Sequence, residues 1–118
     1  MYFKEPKNTD EIFWTEHAKE KMKFYYLSES RLKRILRSPE REERGIAPRT
    51  VAVMQSTKSK NPTEIWLMYQ IASRKIKNKI KKIKIISAWR YPGKSPIGMP
   101  PIPEEVIKIL EQENEYEN

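Results

Sequence analysis

At 118 residues, with one histidine, no cysteine and a formal charge of +8, the chain has room for a single ordinary domain and one hydrophobic core. The missing cysteine excludes a disulfide framework and a cysteine-held zinc site, and a lone histidine disfavours any metal centre. No run approaches the roughly 18 apolar residues of a membrane span and the first residues lack an apolar signal region, so a cytoplasmic protein without membrane or cofactor is expected.

The charge is unevenly spread. From Glu104 onward six glutamates face one lysine, a balance of −5, which leaves 23 basic and 10 acidic residues, or +13, in positions 1–103. A field of that sign draws phosphate backbones toward it. The plain alternative is a solubilising surface.

Along the chain, Ile12-Phe13-Trp14 is apolar but too short to classify by period. Thr15 suits an N-cap, Glu16 complements the dipole, and Ala18, Met22 and Tyr25 mark one apolar helix face through about Tyr26. Ser28 suits a second N-cap, with Leu27 and Leu32 in hydrophobic-staple positions and Leu32, Ile35 and Leu36 as the buried stripe. Pro39 ends that helix because it drives Ser38 out of the helical region. The two helices form an αα-hairpin.

Glu40 to Arg44 is entirely charged and precedes a turn at Gly45 and Pro48, with room for a short edge strand. Thr50–Gln55 and Glu64–Ile71 read as strands, joined by a polar loop that carries Lys58 and Lys60. Ile83–Arg90 reads as a third, with strict alternation placing Ile83, Ile85, Ser87 and Trp89 on one face and Ile86, Ala88 and Arg90 on the other. Between them, Arg74 to Lys84 holds seven basic residues in eleven positions. Its isoleucine spacing also suits a helix, but flanking strands favour a long hairpin turning near Asn78. A proline-rich loop over 92–103, a helix over 103–111 and a frayed acidic tail over 111–118 complete the chain. The expected fold is α+β: an N-terminal αα-hairpin packed on a mainly antiparallel sheet of three to five strands, plus a C-terminal helix.

The segment Phe13-Trp14-Thr15-Glu16-His17-Ala18, the helix pair and the strand Ile85-Ile86-Ser87-Ala88-Trp89-Arg90 resemble the RelE/ParE toxin superfamily, in particular BrnT-like toxins and their uncharacterised relatives. The likeness covers about residues 11–95. It implies a metal-independent endoribonuclease of a toxin–antitoxin module, acting on RNA or ribosome-bound mRNA and restrained by a cognate antitoxin. Members of the ParE kind lack nuclease activity, so the fold alone does not choose the reaction.

Cleavage of that kind needs a base for the 2′-hydroxyl, cations for the phosphorane charge and an acid for the leaving oxygen. Arg90 matches the family's arginine at the end of the last core strand and suits a phosphate clamp. Tyr91 suits a proton donor or a base-stacking ring. His17, the single histidine, is a candidate base or acid, or else a packed fixture beside Trp14. Candidate RNA contacts are Lys58, Lys60, Tyr69, Lys75, Lys77, Lys79, Lys81 and Lys82, although Tyr69 equally suits core packing and the lysine run a solvated hairpin tip. Two other readings of the same fold are a non-catalytic nucleic-acid-binding module and a protein-interaction module. In either, the acidic tail would be placed to fold back over the basic face.

Overall fold

Two side-chain caps start the helices where the spacing predicts. In the computed structural model, which describes the backbone of residues 3–74 and 81–117 and the side chains of 3–72 and 82–112, the Thr15 hydroxyl accepts from the Ala18 amide and opens α1 (Glu16–Tyr25). The Ser28 hydroxyl accepts from the Arg31 amide and opens α2 (Glu29–Arg37). Each bond satisfies an amide that has no partner inside its own helix. Between the helices Tyr26 adopts a left-handed conformation with φ 57°, and the Leu27 amide reaches back to the Met22 carbonyl at 2.8 Å. This closes α1 with the hydrogen-bond pattern that glycine usually serves.

The five strands are β1 (Ile12–Trp14), β2 (Arg41–Arg44), β3 (Thr50–Ser56), β4 (Thr63–Arg74) and β5 (Lys81–Pro92), in the spatial order β1-β5-β4-β3-β2. The sheet is mixed. β2, β3, β4 and β5 pair antiparallel in turn, whereas β1 lies parallel to β5 with Trp14 beside Ile85. A three-residue run carries too little pattern to declare a strand; β1 exists because β5 offers it an unpaired edge. The charged run after Pro39 becomes the outer strand β2, where its charged side chains discourage pairing with another chain.

The backbones of β4 and β5 pair as far as Arg74 with Lys81, as the hairpin reading of the basic run expects over helix. The turn near Asn78 itself lies outside the described residues.

Strict alternation fails along β5. Between Met68 and Tyr69 of β4 the register slips, so that Ser87 faces Met68, Ile85 faces Tyr69, and Ile86 is the extra residue of a β-bulge. Ile85 and Ala88 therefore join one core cluster, while Ile86 and Trp89 join the other. The expected grouping of Trp89 with Ile83 and Ile85 is corrected by that one inserted residue.

The helices do not share one face of the sheet. Trp14, Ala18, Met22, Leu27, Leu32 and Ile35 pack with Val51, Val53, Leu67 and Ile85 beneath the αα-hairpin. On the opposite face Val106 and Leu110 of α3 (Glu104–Glu117) pack with Ala52, Met54, Trp66, Met68 and Trp89. The architecture is three layers, because the central strands are apolar on both faces and each face needs cover. The helix runs through Glu117, so residues 111–117 continue α3. No helix among the described residues is long and apolar enough to cross a membrane.

Candidate functional site

β1 covers β5 only as far as Ile85, and beyond that point α1 takes over the exposed edge. The Thr15 hydroxyl donates to the Ile85 carbonyl at 2.8 Å, His17 Nε2 lies 3.1 Å from the Ser87 hydroxyl, and Arg90 Nε donates to the Tyr25 carbonyl at 2.9 Å. These contacts run in step along both elements, so α1 lies alongside β5 in the same direction. His17 and Tyr25 are eight residues apart, about 12 Å along a helix. His17 thus stands at one end of this seam and Arg90 at the other.

At the Arg90 end the αα-hairpin and the sheet bring three guanidinium groups together. Arg90 pairs across the sheet with Ile65, which in turn pairs with Gln55 of β3. Arg31 of α2 donates to Gln55 Oε1 at 2.6 Å, and Gln55 Nε2 donates back to the Ser38 carbonyl at 2.7 Å. Arg34 stands one turn along α2 from Arg31, with its side chain exposed. Burial, then the charges of Arg34 and Arg90, make the Arg31 guanidinium a weaker base than usual, partly offset by Glu40. Among the described residues no carboxylate is ion-paired with any of the three: Arg31 and Arg90 are held by neutral acceptors, an amide and a helix carbonyl. Crowded cations of this kind raise the free energy of the empty site and favour an anion that would bridge them.

The other candidates scatter around this cluster. Tyr91, next to Arg90 on a strand, packs toward the α3 side, so the two side chains diverge. His17, Arg90 and Tyr91 are not brought together. Lys58 and Lys60 are exposed in the β3–β4 loop at the Arg90 end of the sheet. Tyr69 is buried beneath the αα-hairpin, pairs across the sheet with Val51 and Ile85, and lies four residues, or about 13 Å, along β4 from the partner of Arg90. Its phenol is made less acidic by burial and by Glu42, against a smaller opposite effect of Arg44. It is not placed to stack on a base beside Arg90. Lys82 is exposed eight residues from Arg90, about 27 Å away at the far end of β5. Lys75, Lys77 and Lys79 lie outside the described residues, as does the side chain of Lys81.

A second polar centre lies on the α3 side. Glu64, only 1 % exposed, accepts from Trp66 Nε1 at 2.9 Å, the Ser95 hydroxyl at 2.6 Å, the Ser95 amide at 3.0 Å and Arg41 at 3.5 Å. Burial pushes its carboxyl group up, but the bonds from Ser95 and Trp66 and the charge of Arg41 outweigh this and leave it a stronger acid than usual. Arg41 also meets Glu43 at 2.8 Å and the Ser95 and Pro96 carbonyls, and it lies 5.0 Å over the Trp66 ring, itself stacked on Trp89. Glu43 accepts from the Gly98 amide at 3.0 Å. Four donors from Trp66, Ser95 and Arg41 share its two oxygens, so Glu64 clasps the proline-rich loop to the sheet.

The sequence reading missed Arg31 and Arg34, which lie outside the stripe of Leu32, Ile35 and Leu36, and Gln55, which ended a strand. Their signal is three-dimensional: only the packing of α2 over β3 brings them to Arg90. Among the described residues no group of three or more histidine, aspartate or glutamate side chains is arranged to hold a metal ion. α3 packs across the sheet from Arg31 and Arg34, and Glu105 pairs with Lys21 of α1 at 2.8 Å. The side chains of 113–117, needed for the tail to cover the basic face, lie outside the described residues. Comparison with family models, curated proteins and solved structures returned no match.

Proposed function

We propose that this protein binds single-stranded RNA, with a backbone phosphate held by Arg31, Arg34 and Arg90. The observation that carries the reading is the cluster itself: three cations from α2 and β5 converge, and among the described residues none of them is ion-paired with a carboxylate. Lys58 and Lys60 extend the positive field from the neighbouring loop, and the +13 body steers a polyanion toward it. The half-buried setting of Arg31 and Arg90 suits a strand that threads between helix and sheet better than a rigid duplex. The resemblance to the RelE/ParE superfamily favours RNA over DNA.

The test is the affinity for a fluorescent 12-nucleotide RNA across a salt series. The logarithm of the affinity should fall linearly with that of salt, with a slope of about −0.7 per phosphate neutralised. Arg34→Gln, at an exposed side chain, should make the slope shallower by about 0.7 and leave thermal stability within about 0.5 kcal/mol. Salt-insensitive affinity, or an Arg34→Gln protein that binds like the parent, would sink the proposal.

The second reading adds cleavage, as a metal-independent endoribonuclease of a toxin–antitoxin module in the cytoplasm. What supports it is Arg90, a cation suited to phosphorane charge at a strand end. The separation of His17 and Tyr91 from Arg90 leaves that cation without a nearby base or acid from the candidate set, which ranks binding ahead of cleavage. His17→Ala should accordingly cost about 1 kcal/mol of stability through the lost contact with Ser87, with RNA affinity unchanged. A large loss of RNA binding or RNA cleavage on that substitution, in a folded protein, would restore His17 to the site.

A further inference from the structure

A cleft of about 720 Å³ opens at the junction of α1 and α2, walled by Phe3, Tyr26 and Leu27, with Lys4, Lys23 and Ser30 at its polar margin. Its volume is that of a small-ligand site, and its composition, flat apolar walls with a few polar groups, is what a nucleobase requires. Lys33 and Glu29, also in the wall, neutralise each other at 2.7 Å. Lys4 and Lys23 have no ion pair among the described residues and leave the cleft positive.

The cleft adjoins the arginine cluster through one short stretch of chain. Tyr25 gives its carbonyl to Arg90, and the next residue, Tyr26, enters the cleft wall. Ser30 lines the same wall, and the next residue, Arg31, turns to Gln55 and the cluster. Tyr26 is unusual on two counts. The residue is 69 % exposed beside an apolar wall, and its backbone φ of 57° belongs to a conformation that glycine adopts without strain. A tyrosine kept there contributes little to the core, but it presents a rigid aromatic face to whatever enters the cleft.

We infer that this cleft receives a base of the single-stranded RNA whose phosphate lies on Arg31, Arg34 and Arg90, with Tyr26 as its stacking partner. This rests on the proposed RNA binding and adds to it a base contact, so that recognition is no longer by charge alone. Stacking accepts any base, since each has an aromatic face.

The experiment compares a 12-nucleotide oligouridine with an abasic oligomer of equal length and phosphate number, using the full chain, its Tyr26→Gly variant and its Arg90→Ala variant. Tyr26→Gly removes the ring at a position where glycine relieves strain, so the fold is retained, as a melting curve verifies. The expected result is a roughly five- to hundredfold loss of affinity for oligouridine, with the abasic oligomer bound as before and the salt slope unchanged. If Tyr26→Gly leaves oligouridine binding unaltered while Arg90→Ala weakens both oligomers, the cleft assignment is overturned and phosphate binding stands. If the parent protein binds neither oligomer, both are overturned.

Discussion

Replacing Arg90 with alanine is expected to weaken RNA binding by about ten- to a hundredfold, the loss that follows removal of a charge-assisted hydrogen bond in a half-buried site. Arg90 is the one member of the cluster supplied by the sheet, and its Nε is already committed to the Tyr25 carbonyl. That bond fixes the plane of the guanidinium and leaves its terminal nitrogens to face an anion. Arg90→Lys keeps the charge but cannot both hold the helix carbonyl and present a flat pair of donors. It should therefore recover only part of the loss. The alanine variant also forfeits the bond to α1, so binding is to be measured well below its melting temperature, with circular dichroism as the check on folding. If RNA cleavage is detected with the parent protein, the same variant should abolish it. Unchanged affinity in a folded Arg90→Ala protein would remove the arginine cluster as the phosphate site.

The largest effect on stability is expected at Glu64. Glu64→Gln preserves shape and volume, yet it should destabilise the protein by about 3 kcal/mol. The reason is donor counting. Oε1 accepts from Trp66 and the Ser95 hydroxyl, and Oε2 accepts from the Ser95 amide and Arg41. An amide NH₂ at either position would confront donors with a donor. Urea denaturation of the two proteins at pH 7 checks the magnitude. The pH dependence follows from the lowered pKa of Glu64. Because the folded carboxyl group is the stronger acid, its contribution is fully present above its ordinary value near 4.5 and is lost as pH falls through the lower folded value. The gap between parent and variant should thus narrow below about pH 4.5. A gap that stays constant down to pH 2, while both proteins remain folded at the start of the titration, would refute the assignment of an ionised clasp.

The two centres lie on opposite faces of one sheet and serve opposite ends. Glu64 is saturated by protein donors and stabilises the molecule by being occupied. Arg31, Arg34 and Arg90 have no ion-paired carboxylate among the described residues, and the charge of Glu40 offsets their mutual repulsion only in part. That contrast is why the arginine cluster, and not the more deeply buried carboxylate, is the candidate for a ligand.

Legibility from sequence followed the range of the interactions. Thr15, Ser28 and Pro39 announce the αα-hairpin because capping and proline geometry act over a few residues. Arg90 was legible as a candidate site residue through a resemblance, and Lys58 and Lys60 as candidates through a loop composition. Arg31 and Arg34 were not, since an arginine on an amphipathic helix looks the same whether its outer side meets solvent or a neighbouring strand. Glu64 was hidden in an otherwise apolar strand, and its partners Arg41 and Ser95 come from segments 23 and 31 residues away.

By itself the amino-acid order determined the αα-hairpin, the long strands with their hairpin pairing, and a strongly basic body followed by an acidic C-terminal segment. These depend on caps, period and net charge, all of which are local or additive. Only the tertiary structure decided that β1 pairs parallel to β5, that Ile86 bulges and reverses the side-chain alternation after it, that α3 covers the second face, and that α2 delivers Arg31 and Arg34 to Arg90. Each of these is a choice of partner between distant segments. It is settled by which apolar faces and unpaired backbone groups remain to be satisfied once the local elements have formed.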